Sequence, residues 1–148
     1  MRVHLATDHA GLEFKDALTQ HLTSKGYEVV DHGAYEYDAE DEYPACCIAA
    51  AEAVATEPGS LGVVFGGSGN GEQIAANKVK GVRAALAWSI ATAQLAKEHN
   101  DANVVGIGAR QHSQEEAFAI IEAFLETPFS QAERHIRRIG QIGDYESR

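Results

Sequence analysis

Leu61-Gly62-Val63-Val64-Phe65 runs directly into Gly66-Gly67-Ser68-Gly69-Asn70-Gly71-Glu72, so a short apolar segment leads into a loop with four glycines in six residues. The apolar segment predicts a buried strand. The glycines allow tight turns in which a ligand can approach bare backbone N–H groups. A carboxylate repels phosphate, so Glu72 is out of place in a loop that only holds anions. We interpret Glu72 as a catalytic base beside an oxyanion-binding loop; a tight turn without a ligand is the alternative.

Two common nucleotide-binding loops do not fit this pattern. Gly66 and Gly71 have the spacing of a Walker loop, but Glu72-Gln73 stands where a lysine and a serine or threonine would hold phosphate and magnesium. The dinucleotide fingerprint needs Gly-x-Gly-x-x-Gly and an acidic residue near the end of the next strand, which here reads Leu86-Ala87-Trp88. ATP, GTP and NAD are therefore not expected as ligands.

Length and charge limit the possible partners. The chain has 148 residues, 45% of them hydrophobic, which suits one domain spanning residues 1–148. Twelve Lys and Arg against 22 Asp and Glu give a net charge of −10, which disfavours nucleic acids and anionic membranes. No segment has the apolar length of a membrane span, and the N-terminus lacks the apolar core of a signal peptide. We therefore expect a cytoplasmic protein.

Cysteine and histidine spacing gives no sign of a metal site. Cys46 and Cys47 are adjacent in an alanine-rich stretch, which fits neither a disulfide framework nor a metal centre. We predict that both are buried small apolar residues. Five histidines also lack metal-ligand spacing: His4, His21, His32, His112 and His135.

Strand-like and helix-like segments alternate along the chain. The pattern predicts strands at 3–7, 27–30, 61–65, 83–87 and 104–107. It predicts helices beginning at 12, 44, 72, 90 and 115, of which the third covers 72–79. The acidic residues 36–42 are predicted to form a solvated loop, and residues about 127–148 a C-terminal helical extension. We predict an α/β fold, a Rossmann-like three-layer α/β/α sandwich with a five-stranded parallel sheet and right-handed crossovers.

Ligands of such folds bind at the carboxyl ends of the strands. Asp8-His9 follows the first strand, the glycine loop and Glu72 follow the third, and Arg110 follows the fifth, so these groups converge on one edge. His99-Asn100 ends the helix after strand four and falls at the opposite edge, which is awkward for a monomer. Helix capping is the alternative interpretation for Asp8-His9 and for His99-Asn100.

The last segment, 131–145, carries three arginines. Arg134 and Arg138 are four residues apart and share one helical face, where they form a plausible phosphate clamp. A solvated basic face is the alternative, and the role of Arg137 is open.

In combination these motifs resemble the ribose-5-phosphate isomerase B family, which also includes galactose- and allose-6-phosphate isomerases. The resemblance spans nearly the whole chain. The segments that carry it are Asp8-His9-Ala10-Gly11, the glycine loop with Ile74-Ala75-Ala76-Asn77-Lys78, Glu98-His99-Asn100-Asp101-Ala102-Asn103 and Gly106-Ile107-Gly108-Ala109-Arg110.

The resemblance implies an aldose–ketose isomerase of the non-oxidative pentose phosphate pathway. Many members use a cysteine base, and this sequence has Gly66 at the matching position, so Glu72 resembles the glutamate that replaces it in another branch. Members form homodimers with shared active sites, which implies that the extension at about 127–148 contacts a second subunit; a tetramer is the alternative. Accordingly the partner would supply His99, Asn100, Arg110, Arg134 and Arg138.

Moving a proton between C1 and C2 of a sugar phosphate needs a base and donors around an enediolate, but no metal and no organic cofactor. Glu72 is the expected base with Ser68 as an orienting group; the resemblance gives His99 the proton-donor role in ring opening with Asp8 nearby. The expected substrate-binding residues are Asp8, His9, Gly67, Ser68, Gly69, Asn70, Gly71, Asn100, Arg110, Arg134 and Arg138. A hexose-6-phosphate isomerase and a non-catalytic sugar-phosphate-binding module are the alternatives; Tyr43, Ser68 and Asn70 are candidates for setting the substrate's size.

Overall fold

Five strands and six helices alternate in the structure, a computed structural model that describes residues 1–148. The strands are β1 (Arg2–Thr7), β2 (Glu28–Asp31), β3 (Leu61–Gly66), β4 (Ala84–Leu86) and β5 (Val104–Gly108). The helices are α1 (Leu12–Ser24), α2 (Tyr43–Thr56), α3 (Asn70–Ala76), α4 (Ile90–Asn100), α5 (Gln114–Glu126) and α6 (Glu133–Glu146). A short 3₁₀ turn, His9–Gly11, precedes α1.

The strands form one parallel sheet in the order β2-β1-β3-β5-β4. Every residue of β3 is buried, as expected for a central strand of a parallel sheet covered on both faces. Successive residues of each strand point to opposite faces of the sheet. Leu5, Val63 and Val105 pack with α1, α4 and α5, whereas Ala6 and Val64 pack with α2 and α3. The predicted Rossmann-like α/β/α fold is confirmed.

The helix starts follow from local sequence. The Ser89 side chain caps α4 by accepting a hydrogen bond from the backbone N–H of Thr92. The Ser113 side chain caps α5 by accepting one from the backbone N–H of Glu116. Pro44 lies in the first turn of α2, where its missing N–H costs nothing. Cys47 of α2 is fully buried, as predicted, but the prediction that Cys46 is also buried is wrong, because Cys46 is partly exposed.

One helix and one loop differ from the prediction. Helix α3 covers Asn70–Ala76 instead of 72–79, because Gly69 adopts a left-handed conformation (φ +84°) and ends the loop there. Gly71 is therefore helical. In the acidic loop most residues are exposed, but Asp41 is not: only 17% of its side chain is accessible.

Helix α6 lies outside the two helical layers that cover the faces of the sheet, and His135 is its only buried residue. Ile136, Ile142 and Tyr145 are each at least half exposed. None of the helices combines the length and the apolar character that crossing a membrane requires.

Candidate active site

The predicted cluster lies at the point in the sheet where the strand order reverses. From β1 the chain moves to β2 on one side and later to β3 on the other, so the carboxyl ends of β1 and β3 flank a crevice. Thr7 pairs with Phe65 at that end, which brings Asp8 beside the glycine loop. The Asp8 side chain accepts a 2.8 Å hydrogen bond from Ala10 N–H and so caps the 3₁₀ turn. Capping and a place in the site are therefore compatible.

The glycine loop is anchored to the end of β5. Ala109 N–H donates to the carbonyl of Gly66 (2.8 Å), and Arg110 N–H donates to that of Gly67 (3.1 Å). At Gly69 a β-carbon would come within 2.9 Å of the backbone of Ile107, so only glycine fits. The loop is thus a fixed element of the site.

Glu72 lies in the first turn of α3 and is only 4% exposed. Burial raises the pKa of its carboxyl group; a hydrogen bond from its own backbone N–H opposes the shift, and the charge of Asp8 adds to it. The space for this carboxylate exists because residue 66 is glycine, since a β-carbon there would overlap both carboxylate oxygens. A buried carboxylate with a raised pKa has the properties of a general base.

His9 and Arg110 line one cavity of about 500 Å³ next to this loop. Two cationic or hydrogen-donating side chains on one cavity suit a phosphate group. The Arg110 side chain lies 3.5 Å from the point where a β-carbon on Gly67 of the same chain would lie. Within one chain this arginine therefore stands at the same edge as Glu72; that a partner supplies Arg110 stays a prediction from the resemblance.

The other candidates form a second cluster at the opposite edge of the sheet. His99 and Asn100 end α4, which leads to the amino end of β5, and the ring of His99 lies 4.5 Å from that of His135 in α6. Burial and then the guanidinium of Arg134 lower the pKa of His135, with smaller effects from His99 and Arg138, so these charged groups are neighbours. Ser130 N–H donates to the carbonyl of Glu98, and Ser130 Oγ shares a 2.7 Å hydrogen bond with His135 Nδ1, so Ser130 links α4 to α6.

The two clusters are separated by the length of the sheet. Strand β3 has six residues and therefore spans roughly 17 Å between the two edges. A single chain brings together Asp8, His9, Ser68, Glu72 and Arg110, but it does not bring His99, Asn100, Arg134 or Arg138 to them. The placement of His99-Asn100 at the opposite edge agrees with the prediction from topology.

Within the loop, Ser68 and Asn70 make only a local contact. The Asn70 N–H donates to the Ser68 hydroxyl at 3.3 Å, and Asn70 is exposed as the first residue of α3. The hydroxyl group of Tyr43 packs against Gly71, where a β-carbon would clash with it. Tyr43 thus borders the loop beside Glu72.

Sequence reasoning missed Asp41. Its Oδ1 atom lies 2.8 Å from His9 Nδ1 and accepts a 3.2 Å hydrogen bond from His9 N–H. No local pattern marked it, because Asp41 is one of several acidic residues in a loop whose path depends on tertiary packing. Asp8, His9 and Asp41 also offer three possible metal-ligand atoms within 4.8 Å of one another. A metal bound through Nδ1 would have to replace the His9–Asp41 hydrogen bond.

A larger cavity of about 630 Å³ lies at the amino ends of the strands, between Leu61, Arg83 and Lys97. None of the predicted site residues lines it. Arg83 already donates to the carbonyl groups of Asn100 and Asp101, and Lys97 to the Asp101 carboxylate. Its cationic groups are therefore engaged within the chain.

Comparison with known proteins gives a consistent result. The family model described as Ribose/Galactose Isomerase matches residues 3–142. Ribose-5-phosphate isomerase B of Mycobacterium tuberculosis (strain CDC 1551 / Oshkosh) is 59% identical over 146 residues, covering 99% of this chain and 90% of that protein. The galactose-6-phosphate isomerase subunit LacB of Clostridium acetobutylicum is 40% identical over 87% of this chain and 74% of its own. The crystal structure of ribose-5-phosphate isomerase B from Mycoplasma genitalium with bound ribulose-5-phosphate superposes with a TM-score of 0.95 at 40% identity, covering 99% and 96% of the two chains.

Proposed function

The chain belongs to the Ribose/Galactose Isomerase family, and on that premise we propose that it interconverts D-ribose 5-phosphate and D-ribulose 5-phosphate through an enediolate, with Glu72 as the base. It is an aldose–ketose isomerase, and its relatives carry the name ribose-5-phosphate isomerase B. This activity belongs to the non-oxidative pentose phosphate pathway. The proposed catalytic domain is the whole of residues 1–148.

The observation that carries the choice of base is the burial of Glu72 beside the open glycine loop. Its side chain is removed from water, and the pKa of its carboxyl group is raised for that reason. A base that must take a proton from carbon gains driving force from a raised pKa. The adjacent glycines leave backbone N–H groups available to a ligand.

The proton transfer between C1 and C2 uses Glu72 and the glycine loop. Glu72 removes the proton from C2 of the open-chain aldose, and the electrons of the C–H bond form the C1–C2 double bond of an enediolate. The carbonyl oxygen then carries negative charge, which the loop N–H groups and the Ser68 hydroxyl stabilise. Return of the proton to C1, with transfer between the two oxygens, gives the ketose.

The proposed complete site requires a second subunit. His99 is the group that opens the sugar ring, with Asp8 nearby, and it lies at the edge of the sheet opposite Glu72. A homodimer that places the α4 end and α6 of one subunit against the glycine loop of the other would unite the two clusters. His9 and Arg110 of one chain, with Asn100, Arg134 and Arg138 of the other, would then hold the substrate. In this arrangement residues from about 127 to 148 contact the second subunit.

The test is an assay of ribulose 5-phosphate formation from ribose 5-phosphate in the presence of EDTA, with allose 6-phosphate and galactose 6-phosphate as comparators. We expect turnover of the pentose, and a loss of about 10²- to 10⁴-fold in kcat in Glu72→Gln. Glu52→Gln, an exposed glutamate on α2, is the matched control. Preference for a hexose phosphate would reassign the substrate, and binding without any turnover would support a sensor.

A further inference from the structure

The imidazole of His9 is held by a loop that lies far from it in sequence. Asp41 Oδ1 lies 2.8 Å from His9 Nδ1 and also accepts the backbone N–H of His9 at 3.2 Å. The ring of Tyr37, from the same loop, meets the imidazole edge-on at 5.7 Å and 87°. The side chains of His9 and Asp41 are 18% and 17% exposed, so the pair is mostly shielded from water.

This contact fixes the proton arrangement on the ring. A carboxylate has no proton to donate, so the hydrogen bond requires that Nδ1 of His9 carries one. In the neutral ring Nε2 is then the unprotonated nitrogen, and it makes no hydrogen bond within the chain. His9 lines the cavity of about 500 Å³ that Arg110 shares, whereas Asp41 does not. Because Asp41 engages Nδ1, Nε2 is the ring nitrogen left free to contact a ligand in that cavity.

We propose that Asp41 is a positioning residue for His9: it holds the ring so that Nε2, together with Arg110, contacts the phosphate group of the substrate. Nε2 of the neutral ring and the phosphate oxygens are both acceptors, so the complex holds one further proton between them, on Nε2 or on the phosphate. The role of the cavity as the phosphate subsite rests on the proposed function. The role of Asp41 in setting the tautomer and the orientation of His9 does not.

A second property of Asp41 agrees with this role. Its other carboxylate oxygen, Oδ2, is buried without any hydrogen-bond partner in the chain. A buried acceptor without a partner costs stability, so the carboxylate is not placed there for stability alone. The residue that orients His9 therefore lowers the stability of the folded protein through its unpaired Oδ2 atom.

The first measurement is the tautomer of His9 by NMR of ¹⁵N-histidine-labelled protein, with His9→Gln used to assign the signals. We expect wild-type His9 to be protonated at Nδ1 in its neutral form. Asp41→Ala should shift the neutral ring toward protonation at Nε2. Asp41→Asn retains an acceptor oxygen for both N–H groups and should behave as an intermediate, which also covers the case in which Asp41→Ala fails to fold. Wild-type His9 protonated at Nε2, or an unchanged tautomer in both variants, would overturn the proposal.

The second measurement is kinetic. Asp41→Ala should raise KM for ribose 5-phosphate roughly tenfold while kcat stays within about twofold, and Asp41→Asn should raise KM less. Glu40→Gln, an exposed acid in the same loop, controls for the loss of one negative charge and should leave both constants unchanged. Equal effects of Asp41→Asn and Glu40→Gln on KM would contradict a positioning role. If ribose 5-phosphate is not a substrate, titration with inorganic phosphate gives the same comparison, so failure of the proposed function and failure of this proposal are distinguishable.

Discussion

The carboxylate of Glu72 occupies the space in which the β-carbon of any residue other than glycine at position 66 would lie. Gly66 ends β3 and Glu72 belongs to the first turn of α3, so the two residues meet across the glycine loop. This relationship explains why a side chain at position 66 and a buried glutamate at position 72 exclude each other. A cysteine base at position 66 and a glutamate base at position 72 would reach the same place from opposite sides of the loop.

Gly66→Ala should therefore displace Glu72. We expect a loss of about 1–3 kcal/mol in the free energy of unfolding from overpacking, together with a large loss of activity. In a Glu72→Ala background the added methyl group has room, so the same substitution should cost little stability. Urea unfolding of the two single variants and the double variant measures this coupling. Additive effects would show that the two side chains do not compete for space.

Stability should depend on pH through Glu72. Because burial raises the pKa of its carboxyl group in the folded state, the folded protein holds this proton more tightly than the unfolded chain does. The stabilising contribution is present below the ordinary glutamate pKa of about 4.3 and is lost as the pH rises through the raised folded value. Glu72→Gln should thus be more stable than wild type at pH 7 and lose this advantage near pH 4. Urea unfolding across this range is the measurement, and a difference independent of pH would contradict the assignment.

Arg138 should contribute to substrate binding more than to turnover. It is exposed on α6, four residues from Arg134, and removal of one charged phosphate contact should raise KM roughly tenfold with kcat little changed. Arg148 packs over the ring of Tyr145 at the chain end, and Arg148→Ala serves as the control. The measurement is KM and kcat with ribose 5-phosphate as the substrate. An unchanged KM in Arg138→Ala would mean that Arg138 does not contact the phosphate group.

A site shared between subunits predicts complementation. Glu72→Gln and His99→Asn should each be inactive alone, but a mixed dimer contains one site in which both groups are intact. Random exchange at equal amounts should restore about a quarter of wild-type activity, since half of the dimers are mixed and half of their sites are complete. Mass spectrometry of the mixture verifies exchange. No recovery in verified mixed dimers would mean that each site is built within one subunit.

The sequence predicted the layers and the strand–helix alternation because apolar segments of the right period are bounded by glycine and proline at nearly every turn. The rule that ligands bind at the carboxyl ends of parallel strands then placed Asp8, the glycine loop and Arg110 together. The start of α3 was missed by two residues because the left-handed Gly69 is one of four glycines, and sequence does not show which of them ends the loop.

Other features depend on tertiary packing and leave no local pattern. Asp41 stands among Glu36, Asp38, Glu40 and Glu42, and only the folded loop distinguishes the acid that reaches His9 from those that face water. The resemblance implied that Arg110 comes from a partner subunit, whereas the topology of β5 places this arginine beside Gly67 of its own chain. Burial of Glu72 required the packing of α3 on the sheet.

The most direct measurement of the role of Glu72 is isomerisation of ribose 5-phosphate in D₂O, followed by NMR at C1 of the ribulose 5-phosphate formed. The account predicts that the wild-type enzyme incorporates solvent deuterium at C1, because Glu72 exchanges the proton that it has taken from C2. Glu72→Gln should show neither incorporation nor turnover while it still binds the sugar phosphate. Deuterium incorporation at the wild-type rate in Glu72→Gln would contradict the central claim that this carboxylate is the base.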